Sequence, residues 1–442
     1  MTVPEHDADA LVVGAGAAGL AAAIFAARAD PGLRVVVLDG ARRVGAKILV
    51  SGGSRCNVTN RRVTEGDFWG GSRRTVQRVL RAFPAEAAAA FFAELGVTLH
   101  EEEHGKLFPD SNTSRTVLDA LLREAARVGV SIETGQRVEA VARTAGVFVV
   151  RTRGSAEASA PGGRDWRARA VVLATGGRSL PKTGSDGFGY ELARRLGHGY
   201  VATTPALVPL VLSGDRHPAL SGVAMPAALT LLVAGRPAIT LTGSLLWTHV
   251  GVSGPVVLDL SRHWHRAMLE ARPGDPVTVE VRLNACPGET AGSLTAWLAE
   301  QARLRPRAHV RTVLAGRLPA AVADAWLVGA AVDRDATMAH LSREARTRLV
   351  RQLLETRLDV RDSRGYGYAE VTAGGVPLDE VDHATLASRV CPGLFFAGEI
   401  LDVDGRLGGF NFQWAWSSGF VAGHGVARLL AGPRPEVAHG RD

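Results

Sequence analysis

A glycine-rich turn near the N-terminus has the spacing of a dinucleotide-binding fingerprint. The run Gly14-Ala15-Gly16-Ala17-Ala18-Gly19 follows an apolar strand predicted over residues 10–13 and opens a helix predicted over residues 17–29. Gly14 allows the tight turn, Gly16 lets the backbone approach a pyrophosphate, and Gly19 lets the helix pack on the strand. Phosphate oxygens would accept hydrogen bonds from the N–H groups that begin the helix. The pattern predicts a dinucleotide site.

An acidic residue stands where such a site needs one. Asp39, followed by Gly40, ends the second predicted strand, over residues 34–38. Its carboxylate would accept hydrogen bonds from the hydroxyls of an adenosine ribose. NAD and FAD share the adenosine diphosphate half, so these residues alone do not distinguish the two cofactors.

Two segments far along the chain favour FAD. An apolar strand predicted over residues 394–397 leads to Gly398-Glu399, and this carboxylate would accept hydrogen bonds from flavin ribityl hydroxyls, the alternative being an ordinary strand-end acid. The run Gly408-Gly409-Phe410-Asn411 precedes a helix, whose N–H groups and positive end could face the flavin pyrimidine. The sequence therefore predicts one bound FAD.

Between these ends lies a polar, glycine-rich segment, residues 47–60, which could lie flat against a flavin ring. The cofactor-binding residues predicted in it are Lys47, Ser51, Gly52, Arg55 and Asn57. Further cofactor-binding residues are predicted at Val138, at Thr175 and Gly176, where a strand again runs into a glycine turn, and at Asp402.

Two residues are candidates for catalysis. Cys56 could present a thiol to the flavin, or it could be a small apolar residue in the core. His249, in a stretch rich in glycine, serine and proline, could exchange a proton with the substrate, or it could be a hydrogen-bonded structural histidine.

The chain resembles a known family over nearly its whole length. The segments that carry the resemblance are residues 47–60, Phe108-Pro109, 171–177, 181–184, 248–255, 371–376 and LFFAGEILDVDGRLGGFNFQWAWSSGFVAG at 394–423. They are similar to the aminoacetone-oxidase-like family of bacterial FAD-binding oxidoreductases, which includes the BaiN-type reductases. The resemblance implies an α/β fold: a glutathione-reductase-type, Rossmann-like FAD domain built from both chain ends, with an inserted strand-and-helix domain. Ser54 departs from the family, which often has a third glycine there.

The predicted pattern of strands and helices divides the chain in the same way. Residues 1–202 and 358–430 are predicted to form the FAD domain, with a helix over about 75–95. Residues 203–357, with short alternating strands followed by arginine-rich amphipathic helices, are predicted as the inserted substrate or cap domain. Residues 431–442 are predicted to be a disordered tail.

Composition excludes several classes of protein. Of 442 residues, 46% are hydrophobic and 21% charged, as in ordinary globular proteins. The net charge of +7 is spread along the chain, so stable nucleic-acid binding is not expected. The three cysteines lie far apart, which predicts no metal site and fits a reducing, cytoplasmic compartment. No stretch has the length and apolarity of a membrane span.

These features together predict an FAD-dependent oxidoreductase. A hydride would move between flavin N5 and a small-molecule substrate of the amine or enone class, with NAD(P)H or O₂ as the electron partner. No second glycine fingerprint occurs in residues 203–357 to form a nicotinamide domain. The alternatives are a flavin-dependent RNA-modifying enzyme and a non-catalytic FAD-binding redox sensor. Substrate and oligomeric state stay open.

Overall fold

The computed structural model describes residues 7–154, 163–214, 217–271 and 278–431. The chain forms two compact units: Met1–Thr203 with Val371–Asp442, and Thr204–Glu370. The second boundary thus follows residue 370, and the prediction of residue 357 is wrong, because two strands between residues 356 and 363 pair within the sheet of the second unit. Of the predicted disordered tail, residues 432–442 lie outside the described residues.

The first elements of the chain contain the predicted strand–turn–helix. Up to residue 206 the strands and helices are β1 (Ala10–Val13), α1 (Ala17–Ala29), β2 (Val35–Asp39), α2 (Ala46–Ser54), β3 (Thr59–Asn60), β4 (Phe68–Gly70), α3 (Arg73–Ala82), α4 (Ala85–Glu94), β5 (Leu99–Glu102), β6 (Lys106–Pro109), α5 (Ser114–Arg127), β7 (Ser131–Thr134), β8 (Gln136–Thr144), β9 (Val147–Gly154), β10 (Asp165–Ala168), β11 (Ala170–Leu173), α6 (Phe188–Arg195) and β12 (Val201–Ala206). The helix predicted over residues 75–95 is two helices, because Pro84 interrupts it before α4 begins.

The second unit is built on one antiparallel sheet. Its elements are β13 (Leu210–Leu212), β14 (Ala224–Val233), β15 (Arg236–Thr248), β16 (Gly251–Ser253), α7 (Pro255–Glu270), β17 (Val279–Asn284), α8 (Ala291–Leu304), α9 (Val310–Leu314), α10 (Ala320–Gly329), α11 (Arg343–Glu355), β18 (Thr356–Leu358) and β19 (Val360–Ser363). The strand order is β18-β17-β14-β15-β16-β13-β19. Leu229 lies opposite both Leu241 and Leu283, so one apolar row crosses the three central strands.

The last part of the chain returns to the first unit. Its elements are β20 (Val371–Gly375), β21 (Leu394–Phe396), β22 (Val403–Gly405) and α12 (Phe410–Leu430). Strand β21 joins a parallel five-stranded sheet in the order β21-β11-β1-β2-β7. The four strands β21, β11, β1 and β2 are almost entirely apolar and buried, as expected of a parallel sheet covered on both faces. Both ends of the chain therefore build the Rossmann-type sheet.

Small residues let the two ends pack closely. Helix α1 is rich in alanine, and α12 faces it with glycines. A Cβ atom at Gly419 would lie 2.6 Å from Cβ of Ala21, and one at Gly423 would lie 2.5 Å from the carbonyl oxygen of Ala22. Side chains larger than hydrogen at these two positions would push the helices apart. The sequence pattern of small residues thus fixes the α1–α12 distance.

Candidate cofactor site

The three fingerprint glycines have three different surroundings. A Cβ at Gly14 would lie 2.6 Å from the carbonyl oxygen of Ala174, and one at Gly19 would overlap the carbonyl oxygen of Gly14. These two glycines are needed for the packing of β1, α1 and β11. A Cβ at Gly16 would meet no atom within 4 Å. Nothing in the protein requires glycine there, so the open space in front of Gly16 fits a pyrophosphate that approaches the backbone.

The carboxylate of Asp39 is held by the turn that it faces. Its Oδ2 accepts a hydrogen bond from the backbone nitrogen of Ala15 at 2.7 Å, and its Oδ1 accepts one from Ala41 at 2.7 Å. Each carboxylate oxygen can accept a second hydrogen bond, so both remain able to bind ribose hydroxyls. Gly40 lies against the Arg137 side chain, since a Cβ there would be 3.0 Å from its Cδ.

The carboxylate of Glu399 collects donors from three distant segments. Lys47 Nζ donates to its Oε2 at 2.6 Å. Ser179 Oγ and the backbone nitrogen of Thr372 donate to its Oε1 at 2.7 and 3.0 Å. Lys47 Nζ also donates to Ser179 Oγ at 2.7 Å. The structure thus brings together the predicted residues Lys47 and Glu399, and it adds two residues that the sequence analysis missed.

Little in the sequence indicates that Ser179 and Thr372 contact Glu399. Thr372 lies in one of the segments that resemble the family, and Ser179 lies between two others. Neither has a type or spacing that indicates a ligand. Their role depends on contacts over 220 and 27 residues to Glu399, which only the folded chain reveals.

The glycine-rich segment begins as helix α2 and then leaves helical geometry. Ser51 is extended, and Gly52, Gly53 and Ser54 all have positive φ angles, of +55°, +68° and +67°. The backbone carbonyl of Ser51 accepts the N–H groups of the two residues that follow the turn, residues 55 and 56. The segment is therefore not irregular throughout, because its first residues, up to residue 50, are helical.

Arg55 and Asn57 make contacts within the protein. Arg55 donates to both carboxylate oxygens of Glu102, at 2.5 and 3.2 Å, and lies 4.2 Å from the ring centre of Phe108. The Asn57 side chain, with its amide oriented to satisfy both ends, accepts from the backbone of Gly409 at 3.1 Å. Its link to the start of α12 joins the two predicted cofactor segments. Cofactor contacts by these two side chains stay a prediction.

Cys56 lies in the core. The residue has no exposed surface. Burial raises the pKa of its thiol to about 12, opposed in part by a hydrogen bond with Ser51. A reactive cysteine needs both access and a thiolate, and Cys56 has neither at neutral pH. These features favour the packing role over catalysis, and they weaken the redox-sensor alternative that depended on this thiol.

A glycine turn precedes α12, as the sequence predicts. Gly408 and Gly409 have φ angles of +125° and +92°, and the helix begins at Phe410. The side chain of Asn411 donates to the carbonyl of Gly405 and accepts from its N–H group, both at 2.8 Å. Asn411 therefore fixes the preceding turn by its side chain, and only its backbone is left to face a cofactor.

The remaining predicted residues lie in the same unit. Gly398 contacts the fingerprint helix, since a Cβ there would lie 2.6 Å from Cβ of Ala18. Gly176 has a φ of +72° and lies against Ser185. The other placements are Ala17 half-buried in α1, Val138 buried in β8 beside a register shift, Thr175 half-buried after β11, and Asp402 buried before β22.

His249 lies in the second unit. It is exposed in the turn between β15 and β16. Exposure suits a residue that exchanges a proton with a ligand, but no contact of His249 identifies one. Its catalytic role stays a prediction.

Among the described residues, no group of three or more histidine, cysteine, aspartate or glutamate side chains could hold a metal ion. Within the same ranges, none of the helices combines the length and the apolarity needed to cross a membrane.

The sequence of this chain is similar to known proteins over almost its whole length. The profile of the HI0933-like protein Rossmann domain matches residues 8–425. The 3-dehydro-bile acid delta(4,6)-reductase of Clostridium scindens is 33% identical over 416 residues, covering 94% of this chain and 98% of that protein. The ribosomal RNA dihydrouridine synthase of Escherichia coli is 32% identical over 416 residues, covering 93% and 96%.

One solved structure shows the same fold at lower similarity. The Mycobacterium smegmatis Sdh1 complex in the apo form superimposes with a TM-score of 0.50 and 18% identity. The match covers 98% of this chain and 70% of that one.

Proposed function

Because the chain belongs to the HI0933-like family and is an FAD-dependent oxidoreductase, we propose that it reduces a carbon–carbon double bond conjugated to a carbonyl group. The proposal rests on the kind of bond on which the two relatives act, as their names describe it. A 3-dehydro steroid with double bonds at positions 4 and 6 is a conjugated dienone, and uridine has a C5=C6 bond conjugated to its C4 carbonyl. Both names describe the addition of two hydrogens to such a bond.

Within this proposal, bound FAD supplies the hydride chemistry. The chain positions it. Gly16 and the start of α1 would accommodate the pyrophosphate, and the Asp39 carboxylate would accept hydrogen bonds from the adenosine ribose. Glu399, fixed by its protein donors, would hold the ribityl chain. The N–H groups at the start of α12 would stabilise negative charge on the pyrimidine.

The reduction also needs a proton for the carbon next to the carbonyl. His249 is our candidate for this donor, because it is exposed and its imidazole ring can both donate and accept a proton. The ring would give up one proton, and the substrate α-carbon would gain one. The ring would then be reprotonated from solvent.

The electron donor is proposed to bind transiently. Every resolved strand pairing in the sheet of the second unit is antiparallel, which differs from the parallel sheet of a nicotinamide-binding domain. NAD(P)H would therefore reduce the flavin without a dedicated Rossmann domain of its own.

The substrate class separates this proposal from its alternatives. Amine oxidation runs in the opposite direction, since an amine would donate electrons to oxidised FAD. Reduction of uridine in RNA shares the bond chemistry, but the spread of basic residues and the lack of a basic block favour a small molecule.

Anaerobic stopped-flow absorbance tests the proposal. The flavin is photoreduced and then mixed with a steroid 4-en-3-one, cyclohexenone, a uridine-containing RNA or free uridine; oxidised enzyme is mixed with primary amines. Reoxidation by the enones, with the saturated ketone as product, is the expected result. Reduction of oxidised flavin by an amine with no reoxidation by any enone would contradict the proposal, and reoxidation by the RNA alone would replace the small molecule with RNA.

A further inference from the structure

An ion pair inside the first unit connects the two parts of the chain that build the FAD site. Lys47 and Ser179 come from the first part, and Thr372 and Glu399 come from the last. The Lys47 and Glu399 side chains are mostly buried, with exposed fractions of 24% and 17%. We call these four residues the Glu399 cluster.

The cluster is tied to the backbone on both sides. The hydroxyl of Thr372 accepts hydrogen bonds from the backbone nitrogens of Arg178 and Ser179 at 2.8 and 3.1 Å. A Cβ at Gly177 would lie 2.6 Å from Glu399 Oε1. The absence of a side chain at residue 177 therefore lets the carboxylate reach its donors.

We propose that Lys47 is a positioning residue of the FAD site, which acts on the ribityl side of the cofactor through the Glu399 carboxylate. Among the described residues, two hydrogen-bond donors reach Glu399 Oε1, whereas one donor, Lys47, reaches Oε2. A carboxylate oxygen accepts two, so Oε2 is the atom left for a ribityl hydroxyl. Lys47 fixes the direction in which that remaining acceptor points.

Charge gives the ion pair a second effect. A mostly buried carboxylate without a charged partner carries a large desolvation cost. The Lys47 ammonium makes the pair neutral. A compact ammonium suits this role, because one nitrogen donates both to Glu399 and to Ser179, which are themselves hydrogen-bonded.

Affinity measurements on the holoenzyme test this role. Dilution releases FAD, whose recovered fluorescence gives its Kd, and competition by ADP in the same assay gives the Kd for the adenosine half alone. We expect Lys47→Met to raise the Kd for FAD about 10- to 100-fold, the range for a lost charge-assisted hydrogen bond. The Kd for ADP should change less than about twofold. Lys182→Met, at an exposed lysine outside the cluster, is the matched control and should change neither.

A double-mutant cycle shows whether Lys47 acts through Glu399. Glu399→Gln keeps the size of the side chain but removes its charge, so Lys47→Met added to it should raise the Kd for FAD by only a few-fold more. Additive losses would assign Lys47 a direct contact with FAD and overturn the positioning role. Equal losses for FAD and ADP, or no loss at all, would also overturn it.

Ser179→Ala keeps the test decisive if Lys47→Met does not fold. This variant removes the hydroxyl that contacts both members of the ion pair. A loss of FAD affinity with unchanged ADP affinity supports the proposal, and unchanged affinity for both overturns it. None of these measurements uses a substrate, so their outcome is independent of the proposed enone reduction.

Discussion

The Oδ2 atom of Asp39 lies 2.7 Å from the backbone nitrogen of Ala15, so the end of β2 is hydrogen-bonded to the fingerprint turn that follows β1. The other carboxylate oxygen, Oδ1, accepts a hydrogen bond from the backbone nitrogen of Ala41. The carboxylate therefore stabilises the turn before any ligand arrives. It can accept from the ribose only because each of its oxygens keeps a second acceptor position.

Asp39→Ala should consequently affect both cofactor binding and stability. We expect lower FAD occupancy and a loss of about 1–3 kcal/mol in the free energy of unfolding, since two backbone N–H groups lose their partner. The ratio of flavin to protein absorbance and urea unfolding measure the two effects. Asp39→Asn, which keeps one acceptor oxygen, is the control and should lose less of both. Full FAD stoichiometry in Asp39→Ala would contradict the assignment.

Gly16→Val should separate binding from folding. Gly16 has an extended backbone, with φ of −83°, and open space where the side chain would project. Valine is therefore tolerated by the fold but fills the pyrophosphate position. We expect FAD occupancy to fall while the melting temperature of the apoprotein stays unchanged. Gly19→Val is the contrast, because its side chain would overlap the Gly14 carbonyl and should prevent folding. A fully yellow Gly16→Val protein would contradict the pyrophosphate placement.

His249→Asn tests the proposed proton donor. The variant should retain FAD and slow substrate-linked flavin turnover by about 100-fold or more, the usual effect of losing general acid–base help. Stopped-flow kinetics with a confirmed substrate measure this rate. Photoreduction of the flavin bypasses the substrate and should be unaffected. Kinetics equal to those of the unmodified protein would leave His249 a structural residue.

Two histidines of α7 should make the second unit sensitive to acid. Burial lowers the pKa of His263 and of His265 to about 4 each. Below pH 6.5 the unfolded chain then binds more protons than the folded one, so stability is full above pH 6.5 and falls as the pH drops towards 4. The loss at pH 5 is about 2 kcal/mol for each histidine.

Thermal unfolding at pH 7 and pH 5 measures this loss. His265→Gln should reduce the difference between the two melting temperatures, because glutamine does not titrate and can still hydrogen-bond the Ser363 hydroxyl, which lies 2.8 Å from His265 Nε2. His340→Gln, at an exposed position in the same unit, is the control. Equal acid sensitivity in all three proteins would exclude His265 as a cause.

The protein should be more stable with glycine than with serine at position 54. Its φ of +67° lies in the left-handed region, which costs a residue with a Cβ about 1 kcal/mol. We expect Ser54→Gly to raise the free energy of unfolding by about 0.5–1 kcal/mol, which is the left-handed strain relieved less the extra backbone entropy that glycine loses on folding. Gly53→Ala is the converse variant, because a Cβ there meets no atom but the φ is +68°, so it should destabilise by a similar amount. Opposite signs would show that the turn changes conformation.

Structural features that depend on neighbouring residues alone could be predicted from the sequence. The fingerprint glycines, the strand over residues 10–13 and the helix over residues 17–29 agree with the structure. The left-handed turn at Ser54 also explains why glycine suits that position in the family. The helical stretch predicted over about residues 75–95 is divided into α3 and α4, because Pro84 has no backbone N–H group to continue the first helix.

Long-range features could not be found in this way. Ser179 and Thr372 take part in the Glu399 cluster through contacts that no spacing rule encodes. The boundary at residue 370 was missed because β19 completes a sheet edge by pairing with β13, about 150 residues earlier in the chain. Contacts between segments distant in sequence decide both cases.

The position of β21 in the parallel sheet has a consequence for protein synthesis. Residues 10–29 leave the ribosome early, but the edge strand beside β11 and the helix that packs on α1 come from residues 394–430. Residues 204–370 are continuous and can complete their own core while the chain is still being translated. The nascent FAD-binding unit, in contrast, keeps an unpaired sheet edge and an incompletely covered alanine-rich helix until residues 394–430 have been made, which makes this interval the period of greatest exposure to chaperones.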